Sequence, residues 1–330
     1  MGMKPSENAP DFQQPVSATG FRGFCETALV ALWSTVRWAE ELGWLCQCPY
    51  PLVFTGRQWR KFSLTIEVRI CPVLGKVRAM SLSNEYKRQY GWRDWPTVFD
   101  ALPSLKGQTV FDLGCGVGDL AAAFVARGAR VIGFDLNEEL LCEARSRQLG
   151  AAEFRTTDLR AFEAPGSLAD GFWCSFTAAY FPGLPAALRL WTRNLTTGGW
   201  IALTEIDDLF GHEPLSEETK AILSGYAEDA FAAGRYDFRM GRKLKGYLES
   251  SGFNLVKILT LEDQELAFSG PARSEVLSAW RARFERMRLL RDFCGSRIDQ
   301  VQAEFLGCLM HAEHRSVAQV ICCIATKAQT

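Results

Sequence analysis

The stretch Thr109-Val-Phe-Asp-Leu-Gly-Cys-Gly-Val-Gly-Asp-Leu120 decides the fold. Its apolar run, Thr109 to Leu113, predicts a buried strand, and glycines at 114, 116 and 118 predict a sharp turn. Leu120-Ala-Ala-Ala-Phe-Val-Ala-Arg127 predicts a helix directly beyond. Glycine bends the backbone tightly and lets a ligand approach the main chain where a Cβ would collide. The helix start offers N–H groups with no partner inside the helix. A second apolar strand, Arg130 to Phe134, ends at Asp135, seventeen residues past Gly118. That is near the spacing at which a carboxylate meets the hydroxyls of a ribose.

Two ligand classes suit such a corner. A dinucleotide site wants Gly-x-Gly-x-x-Gly, with the pyrophosphate at the helix N-terminus. Here the third glycine comes one residue early, and Asp112 stands two before the first. A carboxylate there repels a pyrophosphate but suits a ligand carrying an amino group and a sulfonium. The stretch resembles the first motif of the class I S-adenosylmethionine (SAM)-dependent methyltransferases, an acidic residue followed by Gly-x-Gly-x-Gly. The resemblance implies SAM as cofactor and S-adenosylhomocysteine (SAH) as product. It implies a cofactor site at Asp112, Gly114, Cys115, Gly116, Gly118, Asp135 and Leu136, with Asp158 and Leu159 at the adenine and Ser175 and Phe176 beyond the fourth strand.

At 330 residues the chain has room for one large domain or two small ones, and a net charge of −1 supplies no field for nucleic acid or an anionic membrane. Its eleven cysteines lie mostly in apolar runs, which predicts reduced, buried thiols of a cytoplasmic protein. Cys46-Gln-Cys48 and Cys322-Cys323 lack the two-residue gap that helps cysteine pairs share a zinc, so no metal is expected. No run approaches the length of a membrane span. Met1 to Ser6 formally matches an N-myristoylation pattern, of a kind that arises often by chance.

Residues 1–79 differ in character from the rest. They open on a polar, Pro-containing start, continue with an apolar, Trp-rich stretch (Phe24 to Leu45) and a strand-like alternation (Lys61 to Arg69), and carry nine basic against six acidic residues. They read as an extension. Residues 80–330 read as the methyltransferase domain, with helical cap insertions at about 213–240 and 268–315.

Within that domain, Ser83 to Trp95 is aromatic and basic and precedes a first core helix, Thr97 to Leu102. In similar methyltransferases a segment here folds over the ligand, which makes Tyr86, Tyr90, Arg93 and Trp95 candidates to flank the methionine end; a helix packing its aromatics on the core reads equally well. Asn137 caps a helix running to Leu149, Ala152 to Arg155 is a third strand, and Asp158 either meets the adenine or caps the next turn. Gly171 to Phe176 is the fourth strand, leading to Tyr180, a candidate for catalysis and acceptor binding. Pro185 to Leu195 is a helix, and Trp200 to Thr204, Leu255 to Thr260 and Val317 to Ala325 are the remaining strands. This alternation predicts an α/β fold, a doubly wound, mainly parallel seven-stranded sheet with helices on both faces. Asp112, Asp135, Asp158, Ser175 and Glu205 then stand near the carboxyl ends of strands, where ligands of such sheets bind.

On the acceptor side, His212 is one of three histidines and the leading candidate for a general base, with Glu205, Asp207 and Asp208 as the alternative acids. Arg239 suits a substrate carboxylate or an ordinary surface salt bridge. The arginines between 273 and 293 spread around their helix and read as a solvated face, while His311 and His314 read as structural. The chemistry expected is in-line transfer of a methyl group to an O, N or S nucleophile of a small-molecule acceptor, with no nucleic acid or membrane as partner. RNA or protein methylation, a NAD-dependent oxidoreductase and a non-catalytic SAM-binding protein are the alternatives. Nothing in the sequence specifies an oligomeric state.

Overall fold

Five runs become the parallel strands β1 (Thr109–Leu113), β2 (Arg130–Asp135), β3 (Ala152–Thr156), β4 (Ala169–Ser175) and β5 (Leu195–Asp207). The computed structural model describes residues 82–163 and 166–328, so the readings made for residues 1–79 lie outside the described residues. Four further strands follow: β6 (His212–Glu213), β7 (Phe253–Leu261), β8 (Arg315–Ser316) and β9 (Gln319–Lys327). The main sheet has seven strands in the order β3-β2-β1-β4-β5-β9-β7, with β9 antiparallel to both neighbours. β6 and β8 form a separate antiparallel pair that the sequence reading did not anticipate.

The helices are α1 (Leu82–Tyr90), α2 (Trp95–Ala101), α3 (Asp119–Ala126), α4 (Glu138–Ser146), α5 (Leu184–Trp191), α6 (Glu217–Ala232), α7 (Leu244–Ser250), α8 (Ser274–Arg286), α9 (Arg288–Cys294) and α10 (Ile298–Met310). Local chemistry sets several boundaries. Asn137 caps α4 through its Oδ1, which accepts from the N–H groups of Glu139 and Leu140, and Ser216 caps α6 by accepting from Thr219. The single helix expected over 273–293 is two helices, and α10 follows a turn at Gly295, whose φ is +57°. Apart from residues 286–289, all described residues belong to one unit.

Alternation along β1 places its two faces in different surroundings. Phe111 and Leu113 join a core with Phe134, Phe172 and Trp191. Asp112 points the other way, in register with Gly133 of β2 and Trp173 of β4. Trp173 is fully buried there, stacked with Phe99 of α2 at 5.8 Å between ring centroids and edge-on to Phe124 of α3 at 5.2 Å. The helices α2 and α3 thus cover the face that carries Asp112.

Candidate functional site

All three loop glycines hold left-handed backbone, with φ of +79° at Gly114, +51° at Gly116 and +75° at Gly118. Their surroundings differ. A Cβ at Gly114 would collide with the Thr177 side chain, and one at Gly118 would lie 3.0 Å from the Phe154 ring and 3.1 Å from Ala144. At Gly116 the nearest group is the ring of Tyr86, at 3.5 Å. Gly114 and Gly118 are therefore demanded by packing, while Gly116 is buried with the Tyr86 ring at ordinary contact distance. Gly114→Ala is expected to lower the melting temperature by about 5 °C or more, since it adds left-handed strain to the collision. Thr177→Ala should restore part of that loss in thermal unfolding.

The loop also consumes its own donors. The N–H groups of Gly114 and Cys115 both donate to the Phe134 carbonyl, at 2.7 and 3.0 Å, and Gly118 donates to Cys115 at 3.0 Å. Gly116 donates to Asp135 Oδ2 at 2.9 Å, while Asn137 donates to Asp135 Oδ1 at 2.9 Å. The loop is thus braced by β2. Asp119 in the first turn of α3 pairs with Arg147 and adds another carboxylate at that helix start. A pyrophosphate finds few donors here and two nearby carboxylates.

Asp112 is 1% exposed, and its Oδ2 has no hydrogen-bond partner among the described residues. Burial, and then the charge of Asp135, push its pKa up to about 8. Asp135 is raised as well, by burial, against the pull of the N–H groups of Asn137 and Gly116. Two carboxylates short of positive charge, one with a bare oxygen, fit a ligand that brings a cation and hydroxyl donors. Leu136, 41% exposed directly after Asp135, offers an apolar surface beside them.

The other candidates divide. Ser175 is half-buried at the end of β4 and accepts from Trp173 Nε1 at 3.3 Å. Phe176 follows in left-handed backbone, φ +54°, with the Arg93 guanidinium 3.9 Å from its ring centre. Arg93 in turn donates to Asp263 Oδ2 at 2.8 Å, tying this corner to the segment after β7. Tyr90 is half-buried in the last turn of α1. Asp158 is exposed and accepts from the Arg160 N–H at 2.9 Å, so it caps a turn. Leu159 is 6% exposed in the core beside Phe162 and Trp191. Trp95 is likewise core, 3% exposed against Trp173 and Phe176.

His212 does not stand free in an acidic loop. It is 1% exposed among Phe268, Trp280 and Phe305, and its Nδ1 lies 3.0 Å from His314 Nε2. His314 Nδ1 donates to the Gly270 carbonyl at 2.8 Å, so its Nε2 accepts from His212. Burial, and then His314, depress the His212 pKa to about 3. His212 is a structural staple across β6 and β8 rather than an exchangeable base. An unfolded histidine titrates near pH 6.5, so the staple's stabilisation is complete above that pH and fades as pH falls toward 3. His212→Phe should flatten the dependence of melting temperature on pH between about 6.5 and 3, the window set by those two values.

Arg239 donates to Ser224 Oγ at 2.7 Å and faces Glu228 at 3.5 Å, which is the surface-pair reading. Asp207 is taken by Arg242 at 2.6 Å. Glu205 is different. It is fully buried at the carboxyl end of the sheet, its Oε1 accepts from the Ala179 N–H at 2.9 Å, and its Oε2 has no partner among the described residues. Burial raises its pKa to about 8 against the pull of backbone N–H groups at Ala179, Ile206 and Ala178. Tyr180 lies close enough for Glu205 to act on it: burial, then Glu205, push its phenol to about 12. Tyr236, whose ring meets Tyr180 edge-on at 4.8 Å, and the Arg283–Glu265 pair were not singled out from sequence, since they come from segments remote from any motif.

Residues 110–199 match the family described as a methyltransferase domain. The ubiquinone biosynthesis O-methyltransferase of Pseudomonas paraeruginosa (strain DSM 24068 / PA7) is 32% identical over 145 residues, covering 42% of this chain and 60% of that protein. Nocamycin O-methyltransferase of Saccharothrix syringae is 33% identical over 114 residues, 32% of this chain and 41% of that one. The chain thus spans less than two thirds of the length of these curated relatives. The structure of a SAM-dependent methyltransferase from Geobacter sulfurreducens in complex with SAH is similar at a TM-score of 0.45 and 18% identity, covering 70% of this chain and 88% of that one, a likeness too loose to argue from. Residues 110–199 form a methyltransferase domain, set in a sheet of the class I, Rossmann-like α/β form.

Proposed function

We propose that the chain transfers a methyl group from SAM to a nucleophile of a small-molecule acceptor, an oxygen by preference. The observation that carries the reading is the pair of carboxylates at the glycine turn: Asp112 keeps a buried Oδ2 with no partner among the described residues, and Asp135 braces the left-handed Gly116. Two relatives named as O-methyltransferases support the choice of oxygen. When bound, SAM supplies an activated methyl group on a sulfonium, so the protein's main task is alignment.

The residues divide that task as follows. Asp112 Oδ2 takes the ligand's ammonium group, which favours its ionised form. Asp135 has acceptor capacity left beyond its two N–H partners and holds the ribose hydroxyls. Leu136 covers one face of the adenine, and Asp158, already capping its turn, turns an oxygen toward the amino group. Tyr86 from α1 and Phe176 at the end of β4 wall the methionine end and keep water out. Glu205, whose pKa burial raises to about 8 and whose Oε2 has no partner among the described residues, receives the acceptor's proton through Tyr180. The helices α6 and α8 to α10 form the acceptor's cap. No helix among the described residues is long and apolar enough to cross a membrane, and the seven cysteines recorded there are free thiols, which supports a cytoplasmic setting.

Calorimetric titration with SAM, SAH and NAD tests the cofactor, and SAM and SAH should bind while NAD does not. Incubation with SAM and a small-molecule extract should then yield a product heavier by one CH₂, seen by mass spectrometry. Tight NAD binding with no SAM binding would overturn the proposal.

A further inference from the structure

Five tryptophans among the described residues are buried, and four of them spend their indole N–H inside the protein. Trp173 donates to Ser175 Oγ at 3.3 Å, Trp191 to the Leu159 carbonyl at 2.8 Å, Trp200 to Gln108 Oε1 at 2.8 Å and Trp280 to the Glu265 carbonyl at 3.0 Å. Trp95 is the exception. It is 3% exposed, and its Nε1 has no hydrogen-bond partner among the described residues. An indole nitrogen only donates, so nothing but an acceptor satisfies it, and a buried donor left bare is unfavourable. Such a group marks the place of a ligand or of a bound water.

The surroundings of this donor favour a ligand. Trp95 opens α2, where Asp94 caps the helix and the Trp95 backbone N–H donates to the Arg93 carbonyl at 2.9 Å. Its ring meets Trp173 of β4 edge-on, with 5.6 Å between centroids, and Phe176 just beyond that strand at 6.4 Å. Trp173 is also the register partner of Asp112, and paired residues of adjacent strands point to the same face of the sheet. One ring thus lies beside a buried N–H that lacks an acceptor and beside a buried carboxylate whose Oδ2 lacks a donor. The complement of that pair is a ligand with a carboxylate and an ammonium one carbon apart, the head of an α-amino acid. SAM and SAH both end in such a head. The other donor at this corner is Arg93, whose guanidinium stands 3.9 Å from the Phe176 ring centre. It is already engaged by Asp263 at 2.8 Å and by Gln89 at 3.4 Å, whereas the Trp95 indole is unspent.

We propose that Trp95 is a specificity-determining residue whose indole N–H takes the carboxylate of the cofactor's amino-acid head while Asp112 takes the ammonium, so that the site selects an intact head over one without the carboxylate. The inference rests on the methyl-transfer reading and adds to it a discrimination between cofactors. Calorimetry with SAH and with its decarboxylated analogue, which keeps the ammonium, the thioether and the adenosine, tests it. The unsubstituted protein should bind SAH at least about tenfold tighter than the analogue, and Trp95→Phe should bring the two within about twofold of one another by weakening SAH alone. A mere loss of packing weakens both ligands alike and leaves their ratio where it was. A second measurement needs no variant: in protein labelled at the indole nitrogens, NMR should show one buried indole N–H resonance moved downfield by SAH and left in place by the analogue. Equal binding of the two ligands by the unsubstituted protein, a preference that survives Trp95→Phe, or indole resonances that answer both ligands alike overturns this inference alone, and leaves the bare N–H to a bound water. Failure to bind SAH overturns the cofactor reading and this inference with it.

Discussion

Gly116→Val abolishes SAM and SAH binding, a loss of more than about a hundredfold in affinity, while the protein still unfolds cooperatively. Two effects add. At φ +51° an L-residue pays roughly 1–2 kcal/mol for left-handed backbone, and a β-branched one is a clear outlier there. Its methyl groups also project toward the Tyr86 ring, which lies 3.5 Å from where a Cβ would sit. Calorimetry reads the affinity and thermal unfolding reads the fold. Binding within tenfold of the unsubstituted protein would show that the ligand passes elsewhere.

Asp112→Asn separates ligand binding from stability. With its pKa near 8, Asp112 is mostly protonated in the free protein at neutral pH, and a cationic ligand must draw off that proton. Affinity for SAM should climb up to about tenfold per pH unit between pH 6 and 8, then level as the carboxyl is fully ionised and the ligand's own ammonium begins to deprotonate. In the Asn variant affinity should be low and nearly flat over the same range. Stability moves the other way. A raised carboxyl pKa means that the folded protein binds more protons than the unfolded chain between about 4 and 8, so stability falls as pH rises through that window. Asn removes this burden, and the ligand-free variant should melt higher at pH 8 than the parent. A variant that melts lower at pH 8, or that keeps a steep pH dependence of binding, would remove Asp112 from the role assigned here.

Much of the sheet and of the cofactor corner was legible because both are local. A strand that ends in glycines and restarts as a helix constrains its own neighbourhood, and the limits of β1 and β2 and the cap at Asn137 lie where the sequence puts them. The acceptor side was less legible because it is assembled from remote segments. His212 looks like a loop base in sequence, and only the pairing of β6 with β8 brings His314 to it and buries both. Arg239 and Leu159 stand beside informative residues and point elsewhere. Arg283 sits in a run of arginines that reads as a solvated face, and its burial depends on Glu265 and Trp280, which no spacing rule connects to it. The packing that demands Gly114 and Gly118, against Thr177, Phe154 and Ala144, comes from residues outside the motif.

The reversed strand β9 carries one more implication. It lies inside the sheet, hydrogen-bonded to β5 along one side and to β7 along the other. On the ribosome, the nucleotide corner can assemble while β5 and β7 still present raw, apolar edges to one another across a gap one strand wide. The wedge that closes the gap follows the other described strands in the chain, at Gln319–Lys327. A translation arrest or a frameshift shortly before that segment therefore releases a chain able to grip its cofactor yet primed to recruit foreign strands.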